Sequence, residues 1–193
     1  MPEEDIIRFC APTLAGIKTG SLFACMFPGK PDLFREVRSL NRRLNAKGIR
    51  VIPLSFKKNW ALLYFYRPGL LKETLCHSLA SNLLAQRGYP CGRPECCIVK
   101  LVKQLNNSSE FPHEIGLFLG YPPEDVRGFI EHRALGCKCT GCWKVYGDRD
   151  KAEKAFDRFD KCTDCYLRNW RQGKTLESLT VSLPQHYRLK GTN

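Results

Sequence analysis

Apolar residues recur at helical spacing over residues 31–47, and glycine follows at position 48, where its tolerance of a left-handed backbone suits a helix end. This pattern predicts an amphipathic helix whose apolar positions are Leu33, Phe34, Val37, Leu40 and Leu44. Two β-rich runs follow at 49–56 and 60–66, separated by Lys57-Lys58-Asn59, which predicts a hairpin. Pro53 predicts that the first run is an edge or bulged strand.

Residues 21–27 predict an earlier strand, and a leucine at every fourth position after Gly69 predicts one helix that ends at Gly88. The second half predicts mainly helices, over 94–105, 113–119 and 123–133, with a short strand at 143–146 and a long helix from Asp148 to about Arg171. The fold class is therefore α+β. A small, mainly antiparallel sheet with packed helices forms the first half, and a mostly helical second half carries one further strand.

The length of 193 residues favours a single domain. Two prolines and a glycine in residues 89–95 would allow a subdivision into residues 1–88 and a cysteine-rich part, 94–193. The acidic start lacks the basic and apolar regions of a secretion signal. The longest apolar run, 61–66, is much shorter than the roughly 20 residues of a membrane helix. We therefore expect a cytoplasmic protein without a membrane segment.

The formal net charge of +12 attracts phosphate-bearing partners, including nucleic acid. Residues 30–58 contain nine basic and two acidic side chains. Within them, Arg35, Arg38 and Arg42 share one face of the first predicted helix, and we call this face the arginine stripe. A stripe of this kind can contact phosphates, and a solvated helix face explains it equally well.

The chain contains eleven cysteines, an odd number, and a domain of this size does not need disulfides to fold. Metal ligation, a reactive thiol or buried free cysteines remain as explanations. The pairs Cys139/Cys142 and Cys162/Cys165 have the spacing of a four-thiolate zinc site. The second pair, however, lies inside the predicted long helix, so packing thiols are the alternative.

Cys10 lies just before Pro12, which could be the first residue of a helix. A thiol at a helix start has a lowered pKa because the helix dipole favours the thiolate. Cys10 is thus a candidate nucleophile, with His113 or His77 as the base. The alternative is an ordinary buried cysteine.

Residues 113–130 follow the pattern of a helix-turn-helix, with Gly120 at the turn. The second helix would begin at Pro122-Pro123-Glu124-Asp125 and would place two carboxylates where DNA phosphates lie. A structural corner is the alternative to groove binding.

Three stretches carry a resemblance: CAPTLAGIKTGSLF at 10–23, HEIGLFLGYPPEDVRGF at 113–129 and GCWKVYGD at 141–148. Together, these three family segments resemble an uncharacterised bacterial domain-of-unknown-function family, DUF 3793, of anaerobic Gram-positive bacteria. The resemblance implies a cytoplasmic protein from an anaerobe, which agrees with the free thiols expected above, and it supplies no activity, cofactor or catalytic residue.

Three functional hypotheses follow from the sequence. A thiol-centred enzyme or redox-linked protein that uses Cys10 comes first. The alternatives are a basic nucleic-acid-binding module and a zinc-stabilised interaction protein.

Overall fold

The computed structural model describes residues 2–90, 92–108 and 110–184. It confirms the α+β class. A three-stranded antiparallel sheet contains β1 (Gly20–Met26), β2 (Arg50–Lys57) and β3 (Trp60–Tyr66), in the order β1-β3-β2. The most apolar strand, β3, is therefore the central one, with both of its edges paired.

The predicted hairpin joins β2 to β3, with Arg50 opposite Tyr66 and Lys57 opposite Trp60. The register shifts between Pro53 and Ser55, which confirms the bulge expected at the proline. Proline lacks the amide hydrogen that a regular ladder requires, so the chain accommodates it where pairing is interrupted and on an edge strand.

One face of the sheet is covered by α1 (Glu3–Leu14) and α2 (Lys30–Leu44), and the end of α8 (Arg149–Arg171) and α9 (Leu176–Leu179) close the same core. The predicted face of α2 turns inward through Leu33, Val37, Leu40 and Leu44, while Phe34 remains 41% exposed. Gly48 has a φ of 78°, as expected of a glycine that ends a helical stretch.

The opposite face carries α3 (Pro68–Cys76), α4 (Ser78–Gln86), α5 (Pro94–Asn107), α6 (Ile115–Phe118) and α7 (Pro123–His132). Their apolar side chains form a second core with Leu54, Tyr64 and Tyr66 of the sheet. The sheet thus separates two hydrophobic cores, each covered by helices.

Two predictions about helix ends were wrong. The leucine repeat after Gly69 forms two helices, because the backbone at His77 is extended (ψ 133°) and ends α3 before α4 begins. The first helix begins at Glu3, so Pro12 lies inside it. Three carboxylates in its first turn, Glu3, Glu4 and Asp5, interact favourably with the positive end of the helix dipole.

A short hairpin, β4 (Cys139–Thr140) and β5 (Lys144–Val145), precedes the 23-residue helix α8. Asp148 caps α8 as predicted, since its side chain accepts a 3.0 Å hydrogen bond from the amide of Lys151. The N-terminal half of α8 lies beside the hairpin, and α8 packs along α1.

In the described part of the chain, no helix combines the length and apolar character needed to cross a membrane.

Candidate functional site

The three family segments meet at one cleft of about 350 Å³. The first contributes the loop after α1, the second the turn before α7, and the third Trp143 and Asp148. Helices α3 and α8 complete the walls. We call this the lysine cleft, and its lining residues are Gly16, Ile17, Lys18, Thr19, Leu70, Glu73, Thr74, Gly120, Pro122, Glu124, Asp125, Trp143, Asp148, Lys151, Ala152, Ala155, Arg158 and Phe159.

The loop that carries Lys18 is held in place by Arg67, whose side chain is 1% exposed. Its guanidinium donates hydrogen bonds to the carbonyls of Thr13 (2.7 Å), Leu14 (2.6 Å), Lys47 (3.1 Å) and Val181 (2.8 Å). Because burial disfavours the charged form, the pKa of Arg67 is lowered to about 10. This cation satisfies the carbonyls at the end of α1 and so fixes where the loop starts.

Close backbone contact brings the first two family segments together. Gly120 has a φ of 80°, and a Cβ at this position would lie 2.6 Å from the hydroxyl of Thr19. On the other side of the loop, Gly20 packs against the ring of Tyr64, again without room for a side chain. The two glycines therefore allow the loop, the turn and the sheet to meet at van der Waals distance.

Lys18 lies between two aromatic rings, with Nζ 5.5 Å from the centroid of Tyr121 and 5.8 Å from that of Phe159. No ion pair within 4.0 Å involves Lys18 in the described part of the chain. Burial lowers the pKa of Lys18, although the nearby thiols of Cys142 and Cys10 act in the opposite direction. The ammonium is thus partly desolvated and has no carboxylate to compensate it.

The carboxylate of Asp125 joins the second segment to the third. Its Oδ2 accepts a 2.7 Å hydrogen bond from Trp143 Nε1, and its Oδ1 accepts 2.7 Å bonds from the amides of Tyr146 and Gly147. Asp125 is 3% exposed, so these three donors replace its lost hydration. The indole of Trp143 stacks on Tyr121 at 4.9 Å and meets Phe156 edge-on at 4.5 Å. The indole of Trp143 is therefore held by contacts with Asp125, Tyr121 and Phe156.

A second concavity, with a volume of about 450 Å³, shares Asp125 and Trp143 with the lysine cleft. Its lining is mainly apolar and includes five rings, from Phe111, His113, Tyr121, Phe129 and Trp143. We call it the aromatic pocket. Lys144 and Thr140 of the β4–β5 hairpin also line it.

Cys10 is not at a helix start. It lies in the second half of α1, is 0% exposed and belongs to the core under the sheet. Burial raises the pKa of its thiol, with Lys18 exerting a smaller lowering effect. His77 is exposed at the break between α3 and α4, and His113 packs against Phe129 at 4.9 Å. No hydrogen bond joins either imidazole to Cys10 in the described structure, so the basis for a Cys10 nucleophile is lost.

The four cysteines predicted to bind zinc do not form a site. Cys139 lies on β4, and the β4–β5 turn packs through Gly141 against Phe156 of α8. Phe156 precedes Cys162 by six residues, about 9 Å along a helix axis. Over the described ranges, no three His, Cys, Asp or Glu side chains are placed to hold a metal ion. The pKa of Cys162 is raised to about 11, first by burial and then by Cys165, as expected of a packing thiol.

The predicted helix-turn-helix is a structural corner. Helix α6 is a single turn, and α7 is covered by the residues that follow the β4–β5 hairpin. A Cβ on Gly128 would lie 2.4 Å from the Tyr146 ring, and Asp125 is bonded to the same stretch. The exposed side chains of α7 include Glu124, Arg127 and Glu131, so its solvent face carries two carboxylates and does not suit DNA phosphates. The arginine stripe, in contrast, is exposed along α2, and Arg35 pairs with Asp32.

The sequence did not single out Lys18, Asp125 or Trp143 as a site. All three lie within the family segments, so the resemblance contained the signal, although it assigned no roles. The environment of Lys18 has no local signal, because the rings next to its ammonium, Tyr121 and Phe159, lie more than one hundred residues later in the chain.

Comparison with known proteins gives one match. No curated protein and no solved structure matches the chain. The family described as "Protein of unknown function (DUF3793)" matches residues 6–180, which include all three segments that meet at the lysine cleft. The chain belongs to the DUF3793 family.

Proposed function

We propose that this protein binds a small oxyanion, a phosphate or a carboxylate group, at Lys18 in the lysine cleft. The proposal is carried by the environment of the Lys18 ammonium group, which lies against aromatic rings and lacks an ion-pair partner among the described residues. The ammonium lies between Tyr121 and Phe159, its pKa is lowered by burial, and no carboxylate within the described residues forms an ion pair with it. A partly buried cation without an ion-pair partner costs free energy, which an anionic ligand would offset.

The other charges of the cleft are compatible with a compact anion. Lys151 is paired with Asp148 at 3.4 Å, whereas the guanidinium of Arg158 faces the ring of Phe159 at 5.9 Å and forms no ion pair among the described residues. Glu73 and Glu124 are exposed at the rim. Anion affinity at Lys18 would be opposed by the exposed Glu73 and Glu124 and by the hydrogen-bonded, buried Asp125, while Arg158 would supply a second positive charge.

The net charge predicted a phosphate-bearing partner without a binding site, and the proposal assigns the binding of an oxyanion to Lys18. It differs from the thiol hypothesis, because Cys10 is enclosed. Cys142 is an exposed cysteine whose thiol interacts electrostatically with Lys18. Partial desolvation of its sulfur nevertheless raises the pKa of this thiol, and the charge of Lys18 only partly opposes this effect. A neutral thiol is a weak nucleophile, so its position favours binding over covalent chemistry.

The test is calorimetric titration of the full chain with inorganic phosphate, pyrophosphate, malonate and citrate at low salt. The Lys18→Met variant keeps the apolar stem between the two rings and removes the charge. We expect at least one of these anions to bind, and its affinity to fall about tenfold or more in this variant. Lys154→Met, an exposed position on α8 outside the cleft, is the matched control.

Met at position 18 should not unfold the chain. Because Lys18 is only partly buried, removing its charge should leave the free protein as stable as the parent or slightly more stable. Absence of binding for all four anions, or equal affinities for the Lys18→Met and Lys154→Met variants, would contradict the proposal.

A further inference from the structure

We infer that the aromatic pocket is a second binding site, which takes a planar aromatic ring with an acidic substituent. This inference does not depend on the proposed function of the lysine cleft. The two concavities share Asp125 and Trp143, but Lys18 lines only the cleft and Lys144 lines only the pocket.

The shape and lining of the pocket point to a planar ring. Its volume of about 450 Å³ falls in the range of small-molecule sites, roughly 300–1,000 Å³. Tyr121 and Trp143 stack at 4.9 Å and form one wall, while His113 meets Phe129 edge-on at 4.9 Å in another. Aromatic rings prefer stacked and edge-on contacts with other rings, so these walls favour a flat, unsaturated ligand over an aliphatic one.

The free state of the pocket leaves apolar surface in contact with water. Phe111 lines the pocket and is 52% exposed, although its ring reaches His113 at 6.0 Å. A ring bound between Phe111 and the Trp143 wall would bury this surface. The positions of His113 and Trp143 are already fixed by packing and by Asp125, so little ordering would oppose binding.

The polar groups of the pocket specify the substituent. Lys144 lines the pocket and forms no ion pair with any described residue. The one carboxylate of the lining, Asp125, accepts three hydrogen bonds from other groups and forms no ion pair with Lys144 in the described structure. A ligand whose acidic group reaches Lys144 while its ring enters the pocket satisfies both features.

Three probes separate these features: 2-naphthoate, its saturated analogue decahydro-2-naphthoate, and naphthalene-2-carboxamide. Ligand-detected NMR with the full chain should show 2-naphthoate binding, with the saturated acid at least about fivefold weaker. The carboxamide should bind about threefold more weakly than the naphthoate. Lys144→Met should lower naphthoate affinity to that of the carboxamide and leave carboxamide affinity unchanged.

The surface variant Phe111→Ser should weaken both planar probes, and Phe34→Ser, a similarly exposed phenylalanine on α2 outside the pocket, should not. Lys18→Met should leave naphthoate affinity intact, which distinguishes this site from the lysine cleft. Equal binding of the saturated acid, no effect of Lys144→Met or Phe111→Ser, loss of binding in Lys18→Met, or no binding of 2-naphthoate would each overturn the inference.

Discussion

The indole nitrogen of Trp143 donates a 2.7 Å hydrogen bond to Oδ2 of Asp125, and this bond joins the two sides of the candidate site. Asp125 belongs to α7, and Trp143 belongs to the β4–β5 hairpin. The same indole lines both the lysine cleft and the aromatic pocket. The position of one side chain thus shapes two concavities.

Asp125→Asn should destabilise the protein by about 2–3 kcal/mol, because an amide offers one acceptor oxygen in place of two and directs its NH₂ group at an N–H donor. Either orientation of the amide leaves the indole or two backbone amides unsatisfied. Urea unfolding measures the change. Asp157→Asn is the control, since Asp157 is exposed and pairs with Lys161 alone at 2.7 Å among the described residues. Equal unfolding midpoints for the two variants would show that the Asp125 hydrogen bonds do not stabilise the site.

Arg67→Lys should be destabilising by about 3 kcal/mol, although the charge is kept. One ammonium cannot reach four carbonyls that lie on α1, after α2 and after α9. Arg8→Lys, at an exposed position on α1 where the arginine pairs with Glu4, should have no measurable effect. Thermal unfolding of both variants checks the comparison. A Tm for Arg67→Lys within error of the Arg8→Lys value would refute the role of Arg67 as the anchor of the Lys18 loop.

Cys10 should be among the slowest cysteines to react with iodoacetamide at neutral pH. It is fully buried and its pKa is raised, whereas Cys76 and Cys96 are exposed on α3 and α5. Mass spectrometry of peptides after limited labelling gives the order directly. Labelling of Cys10 ahead of Cys76 and Cys96 would restore the thiol hypothesis and would contradict its enclosed position.

Local patterns were sufficient for most of the fold. The spacing of Leu33, Val37, Leu40 and Leu44 gave α2, because one face of that helix covers the sheet. Pro53 marked the bulge, and Asp148 marked the start of α8, since both act on the backbone within a few residues. The start of α1 differs from the prediction because Pro12 favours a helix start, whereas the acidic residues 3–5 stabilise an earlier first turn.

The candidate site could not be predicted in the same way, because its properties arise from contacts between distant segments. The cysteine spacing suggested zinc, yet convergence of four thiols depends on where the hairpin meets α8, and Gly141 places it against Phe156. Lys18 is an ordinary lysine in the sequence. Its lowered pKa follows from burial in the folded chain, and the ring contacts from Tyr121 and Phe159 likewise exist only there.

Nucleic-acid binding through the arginine stripe stays a prediction from charge. If it occurs, replacing Arg35, Arg38 and Arg42 with glutamine should weaken binding to single- or double-stranded DNA and RNA. The slope of log K against the logarithm of the salt concentration should become less steep by up to about three. Electrophoretic mobility shifts across a salt series provide the measurement. Affinity that does not change with salt, or that survives the triple substitution unchanged, would exclude the stripe as a phosphate contact.

The pH dependence of anion binding follows from the lowered pKa of Lys18. Only the protonated amine attracts an oxyanion, so, for an anion whose own charge is constant over the pH range, affinity should be constant below the pKa of Lys18 in the free protein. It should fall as pH rises between that value and the higher pKa of the complex, where binding takes up a proton. The thiols of Cys142 and Cys10 oppose the effect of burial on the pKa of Lys18. The other charged groups that line the cleft are Glu73, Glu124, Asp125, Asp148, Lys151 and Arg158.

NMR titration of ¹³C-labelled lysine measures this directly, because the Cε signal of Lys18, assigned with Lys18→Met, reports its protonation. We predict that Lys18 titrates below the exposed lysines in the free protein, and that its pKa rises when the anion found by calorimetry is bound. A Lys18 signal that titrates with the exposed lysines and does not respond to a bound anion would contradict the assignment of this cleft as an oxyanion site.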